Sequence, residues 1–185
     1  MNIKNYVVYG NDNYVLPSYF VNVESIEKTV SSFNGHIKPH VHSNLFQVIL
    51  IEQGKGRFIS DQTSMNIAGP CIITIVESTL HEIQFDMQTE FKGKVLTINT
   101  SLLEDIFADL PKSLFRLTNG INFLERVDHF EECTLLIDKI STHLPENGPR
   151  TRLAINAYLS LFFLQLLKHD NLNSPTNKFI KKQSY

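Results

Sequence analysis

Apolar and polar residues recur with two different periods along this chain, and the change from one to the other divides it near Thr100. Before that point the apolar residues come in short runs separated by turn-forming residues, the signature of β-strands. The first runs, 6–9 and 19–23, are broken by Gly10-Asn11-Asp12-Asn13 and Pro17-Ser18 and read as edge or lid strands. Further strands are expected at 45–52, 57–60, 64–67, 71–76, 82–85 and 91–98, with turns at Gly54-Lys55-Gly56, Asp61-Gln62 and Gly69-Pro70. The run 71–76 is apolar without interruption, as a strand covered on both faces would be. Seven or more short strands at this spacing predict a β-sandwich or barrel.

After Thr100 the pattern becomes helical. Ser101 followed by Glu104 is a capping-box signature for a short helix ending near Pro111, and 114–117 is expected to return as one more strand. Asp128 with Glu131 repeats the capping box. Phe130, Cys133, Ile137, Ile140 and Leu144 then keep a helical spacing that lines one face. Pro149 suits the first turn of a last helix over 150–169. That helix has almost no polar side, so it is expected to be buried all round, one face by the barrel and the other by the preceding helix or a second subunit. Leu159, Phe162, Phe163 and Leu166 are the expected dimer contacts. Residues 171–185 are polar and read as a linker, and Lys178, Lys181 and Lys182 as solvated charges within it.

Composition narrows the class without choosing a function. A chain of 185 residues with 42% hydrophobic and 19% charged residues suits one globular domain, which buries about 70% of its unfolded surface. A net charge of -2 supplies no field for a phosphate backbone. There is neither a signal-peptide pattern at the start nor a run near 20 apolar residues, so a cytoplasmic location and no membrane partner are expected. Cys71 and Cys133 lack metal-ligand spacing and are expected to be buried thiols.

The candidate chemistry lies between Gly35 and Gly56. His40 and His42 stand two residues apart, so on a strand both imidazoles project from one face. Gln47 on the next strand can add its amide to the same region, with Ile49 continuing that face, and His81 can close the cluster. Three imidazoles at one point match the three-ligand pattern of a catalytic zinc or non-haem iron site. Gln47 in place of a carboxylate lacks the charge that offsets a dication, so no metal cofactor is expected; a bound transition metal would use His40, His42, Gln47 and His81. Imidazoles and an amide also suit a carboxylate or phenol, and anion affinity is expected to fall as pH rises through about 6.5, where an unperturbed imidazole loses its proton. His36, His129, His143 and His169 lie outside the cluster, at the surface or helix ends. Tyr9, Phe33, Phe46 and Phe58 are aromatic candidates for a pocket wall.

Gly35, His40, His42, Gln47 and Gly54 resemble the first motif of the cupin barrels, H-x-H-x(3,4)-E-x6-G preceded by a glycine, with Gln47 where the family has Glu. Of the second motif Gly69 and His81 are kept, while Val76, Ser78 and Phe85 stand where Pro, Gly and Asn are expected. Within cupins, H-x-H-x4-Q, then G-x-G-x-F, A-G-P-C and a later His resemble the sensor half of AraC-type transcription regulators, over about residues 30–170. The likeness is greatest to the branch responding to small aromatic acids such as 4-hydroxyphenylacetate or p-hydroxybenzoate.

The resemblance implies a mainly β fold, a double-stranded β-helix barrel (jelly roll) over 1–100, followed by a helical dimerisation segment over 101–170 of the same domain. It implies a homodimer whose barrel binds a small organic acid at His40, His42, Gln47, Ile49 and His81, and DNA contact only through a helix-turn-helix domain outside this chain. The alternative is a metal-dependent cupin enzyme, a dioxygenase or isomerase. The missing carboxylate and the long apolar helices weigh against it, and a non-enzymatic function is expected.

Overall fold

The computed structural model describes residues 4–5, 17–60, 64–108, 120–125, 127–146 and 148–168. Two five-stranded sheets face each other and a helical layer covers the outer face of one of them. The first sheet has the order β1 (Lys4–Asn5), β3 (His36–Val41), β8 (His81–Phe85), β5 (Lys55–Ser60), β6 (Ser64–Ala68). The second has the order β10 (Ile121–Glu125), β7 (Cys71–Ile75), β4 (Leu45–Gln53), β9 (Lys92–Asn99), β2 (Val21–Ser25). Apart from the β5–β6 hairpin and the β9, β10 succession, sequence neighbours alternate between the sheets, as in a jelly roll.

Strand β4 shows why. It is the central strand of its sheet, antiparallel to β7 on one side and β9 on the other, with Ile49 opposite both Ile73 and Val95. Its alternate residues serve two cores. Ile49 and Ile51 face the space between the sheets with Phe58 and Ile83, whereas Phe46, Val48 and Leu50 face the helices. A strand covered on both faces has no polar side to give up, hence the unbroken apolar run. Gly54, in the left-handed region at φ 121°, turns the chain into β5. There a Cβ on Gly56 would collide with the backbone carbonyl of Gln84 on the neighbouring strand.

Helix α1 (Ile26–Ser32) was not anticipated from the sequence. Ser25 caps it by accepting from the Lys28 amide at 3.2 Å, and Ile26, Thr29 and Val30 form its buried face. Helix α2 (Thr100–Ala108) follows β9 without a break, so its cap is the last strand residue: Asn99 Oδ1 accepts from the Ser101 amide at 2.9 Å. The expected cap at Ser101 is thus displaced by two residues. Helix α3 (Phe130–His143) begins after His129 with no side-chain cap, so the Asp128–Glu131 box is not used, but Cys133, Ile137 and Ile140 are buried as their spacing predicts. β10 lies beyond residue 100 yet belongs to the second sheet. The runs expected at 6–9 and 114–117, together with Pro111, His169 and the linker 171–185, fall outside the described residues.

Helix α4 (Pro149–Leu167) starts with its proline in the first turn, as expected. Its packing corrects the sequence reading. Leu159, Phe162, Phe163 and Leu166 are fully buried in the chain's own core, Phe163 with its ring against Phe46, Phe107 and Phe162. These four side chains are spent inside the protomer and are not available to a partner. The helix is not buried all round: Leu153 is 73% exposed and Leu161 49%. The periodicity recorded that α4 was apolar on every side, and only packing decided which side the fold covers.

Candidate functional site

Three imidazoles converge at one end of the space between the sheets. His40 is the fifth residue of β3 and His81 the first of β8, and the antiparallel register sets them directly opposite each other. Their ring centroids are 4.2 Å apart; His42, just past β3, lies 4.8 Å from His40 and 5.5 Å from His81. All three are buried. The inward aim of His40 depends on an irregularity: Ile37 and His40 both face the interior though they are three residues apart, which a regular strand forbids. The register shifts between them, at Lys38-Pro39, where proline cannot donate to a ladder.

The other expected site residues take different places. Gln47 is buried on the facing sheet, on the same side of β4 as Ile49, and its Nε2 donates to Thr97 Oγ1 at 3.4 Å. Ile49 lies deeper, in the inter-sheet core. Phe58 stacks on His81 with centroids 6.0 Å apart, and so is the aromatic candidate that reaches the cluster. Phe46 faces the helices, Phe33 packs on the rim of the inter-sheet core, and Tyr9 is outside the described residues. His36 is exposed and 2.7 Å from Glu82, and His143 ends α3 beside Tyr158. Cys71 and Cys133 are buried free thiols, each pushed up to about 12 chiefly by burial.

The electrostatics of the cluster reverse one expectation. His81 Nδ1 lies 2.9 Å from the Thr79 carbonyl and His40 Nδ1 2.8 Å from that of Lys38. A carbonyl only accepts, so each Nδ1 carries the proton and each Nε2 presents a lone pair. Burial lowers the pKa of both rings, that of His81 to about 3 with the neighbouring His40 adding to the effect. Neutral acceptors do not attract an anion, so His40 and His81 give no basis for an affinity that falls through pH 6.5. His81 Nε2 and Gln47 Oε1 are buried with no hydrogen-bond partner among the described residues, and such acceptors call for a donor. A ligand hydroxyl supplies one; a carboxylate does not.

The cluster also passes a first test as a metal centre. The ligand atoms of His40, His42 and His81 lie within 4.8 Å of one another, and the Nδ1–carbonyl bonds orient the rings as in known imidazole sites. Nitrogens on one tetrahedral ion would be roughly 3.3 Å apart at the usual bond length, so the cluster would have to contract.

Ser78 occupies the left-handed region at φ 59°, the conformation that explains the glycine of the resembled motif. Its amide donates to the His42 carbonyl at 2.8 Å and ties the β7–β8 connection to the third histidine. Concave sites also lie elsewhere among the described residues. One of about 440 Å³ borders α2, and one of about 280 Å³ lies between residues 17–21 and the start of α4, where the Tyr19 hydroxyl donates to Asn156 Oδ1 at 3.1 Å.

Comparison with known proteins agrees with this architecture. Apo ToxT from Vibrio cholerae is similar with a TM-score of 0.53 at 13% identity, over 90% of this chain and 61% of that one. A second ToxT structure from the same organism gives 0.52 at 17% identity, over 91% and 61%. ToxT bound to (E)-4-(8-methylnaphthalen-1-yl)but-3-enoic acid gives 0.51 at 18% identity, over 90% and 61%. This chain therefore spans less than two thirds of those proteins, and at such identities the likeness speaks for the fold. No curated protein sequence matches. Residues 30–163 match the model of the AraC-like ligand binding domain, and the chain belongs to that family.

Proposed function

We propose that this chain is the effector-binding and dimerisation domain of an AraC-type transcription regulator, and that its effector is a small hydroxylated organic acid, aromatic in its apolar part. The observation that carries the ligand chemistry is the pair of buried acceptors, His81 Nε2 and Gln47 Oε1. A phenolic hydroxyl would donate to this cluster, Phe58 and Ile49 would meet the ring, and the carboxylate would point away from the histidines. ToxT, the relative whose structure holds an organic acid, supports a carboxylate-bearing ligand for this fold. Family membership favours a binding domain over the cupin-enzyme alternative.

Occupancy would be relayed along β9, which carries Thr97 against Gln47 and continues directly into α2. In the full regulator that change would alter how attached DNA-binding units are spaced, with a coupling of about 1 to 3 kcal/mol. The dimer would form on the stripe that folding leaves uncovered, Leu153, Ala157 and Leu161 at four-residue intervals on α4.

The test is calorimetric titration with hydroxy-aromatic acids and their deoxy analogues. Loss of the hydroxyl should weaken binding at least tenfold in the wild-type chain and little in His81→Phe. Equal affinity for both analogues in the wild type would exclude the cluster as the recognition site. Elemental analysis runs alongside: one tightly held transition metal per chain would favour the metal-dependent alternative, for which the three imidazoles supply the ligands.

A further inference from the structure

Three successive residues between β7 and β8 each hold a different part of the molecule. Glu77 Oε2 accepts from the Thr100 hydroxyl at 3.3 Å, the Ser78 amide donates to the His42 carbonyl at 2.8 Å, and the Thr79 carbonyl accepts from His81 Nδ1 at 2.9 Å. The left-handed Ser78, at φ 59°, turns the chain so that neighbours can reach three separate partners. A further bond closes a ring. The Thr100 amide donates at 3.0 Å to the carbonyl of Asn44, two residues after His42, and Asn44 is left-handed as well, at φ 58°.

Thr100 has both groups to spare. It is the first residue of α2, where a backbone N–H finds no partner inside its own helix. The cap is already supplied by Asn99, whose Oδ1 accepts from the Ser101 amide at 2.9 Å. The start of α2 thus holds the turn that follows His42 and the connection that aims His81. A neutral imidazole accepts a hydroxyl through one lone pair in the ring plane, so a small rotation of His81 misdirects it.

We infer that Thr100 and Glu77 are positioning residues for hydroxyl recognition at the histidine cluster, so that the cluster and the start of α2 move together. The inference rests on the effector reading for its ligand and gives occupancy a route to α2 besides β9. The coupling is reciprocal: whatever the start of α2 contributes to ligand affinity, the ligand returns as order at α2.

The experiment uses the 185-residue chain with isotope-labelled histidine, and 4-hydroxyphenylacetate and phenylacetate as probes. Thr100→Val removes the hydroxyl and keeps the branched shape. Thr100→Pro removes the amide donor as well, at a first-turn position preceded by a strand residue, where proline suits the backbone. Without any probe, the ring signals of His42 and His81 should shift in Thr100→Val and further in Thr100→Pro, keep their wild-type positions in Thr100→Ser, and leave the exposed His36 unchanged. The preference for the hydroxylated probe should fall by about threefold or more in Thr100→Val and in Glu77→Ala, the size of one hydrogen bond, and be kept in Thr100→Ser and Glu77→Gln. A residue that only stabilised the fold would lower both affinities alike, and that result overturns the proposal. Ring signals unmoved in both Thr100→Val and Thr100→Pro also overturn it. Glu77 is exposed, so Glu77→Ala keeps the fold if a change at Thr100 does not. The ring signals need no effector, so a chain that binds neither probe counts against the effector reading, while the spectra still decide the link between Thr100 and the cluster.

Discussion

The two apolar cores on either side of the second sheet are built from the same strands and differ in what they bury. The core facing the helices is apolar and aromatic, with Phe46, Phe107, Phe162 and Phe163 meeting edge to face. The core between the sheets is mostly aliphatic, with Phe58 and Phe85 among its isoleucines, and ends in His40, His42, His81 and Gln47. Aromatic contacts of the first kind serve stability, since each adds burial and a favourable ring geometry. Buried acceptors of the second kind oppose stability unless a donor meets them. The contrast teaches that the outer core holds the fold, while the inner one carries buried acceptors whose cost a bound donor would offset.

Substitutions should separate the two. Phe163→Ala should cost about 3–5 kcal/mol in chemical denaturation, because it removes a fully buried ring with three aromatic neighbours. A loss below about 1 kcal/mol would show that this core is not what holds the domain.

Acid should act on the inner core. His81 titrates near 3 in the fold and near 6.5 when unfolded, so its contribution is fully present above pH 6.5 and is lost as pH falls toward 3, while the unfolded state takes up the proton. Between pH 7 and pH 5 the loss is about 2 kcal/mol for this one group, and His40 adds in the same direction. Urea denaturation of wild type and His81→Phe at both pH values checks this; an equal drop in both would assign the acid sensitivity to other groups. For the same reason, the part of a hydroxylated ligand's affinity that depends on His81 should be flat between pH 6 and 8.

Gln47→Leu should leave stability within about 1 kcal/mol of wild type while lowering ligand affinity, since the amide has one long hydrogen bond to Thr97 and an oxygen without a donor. Loss of stability without loss of affinity would erase the distinction between the cores. On the helical side, Leu161→Glu should change stability by about 0.5 kcal/mol or less, yet shift light scattering from dimer to monomer, whereas Leu159→Glu should unfold the chain. The smallest effect is expected of Ser78→Gly, a gain of about 0.5–1 kcal/mol in a thermal melt, because glycine relieves the left-handed strain but adds unfolded-state entropy.

Periodicity is local, and what it encodes was legible: the strands between residues 45 and 99, the helical spacing of Cys133, Ile137 and Ile140, Pro149 opening α4, and a pair of histidines that share one site. Helix α1 was not read from the sequence, because seven residues with Ile26, Thr29 and Val30 as the buried face are too short for a helical period to stand out. The tertiary structure decided the rest. The shift at Lys38-Pro39 aims His40 inward, and the carbonyls of Lys38 and Thr79 choose the tautomers, so a site that looked ready for an anion presents lone pairs. Packing, too, assigned Leu159, Phe162, Phe163 and Leu166 to the protomer's own core. A helix apolar on all sides does not state which side its own chain will cover, because that depends on groups brought near by folding rather than by sequence.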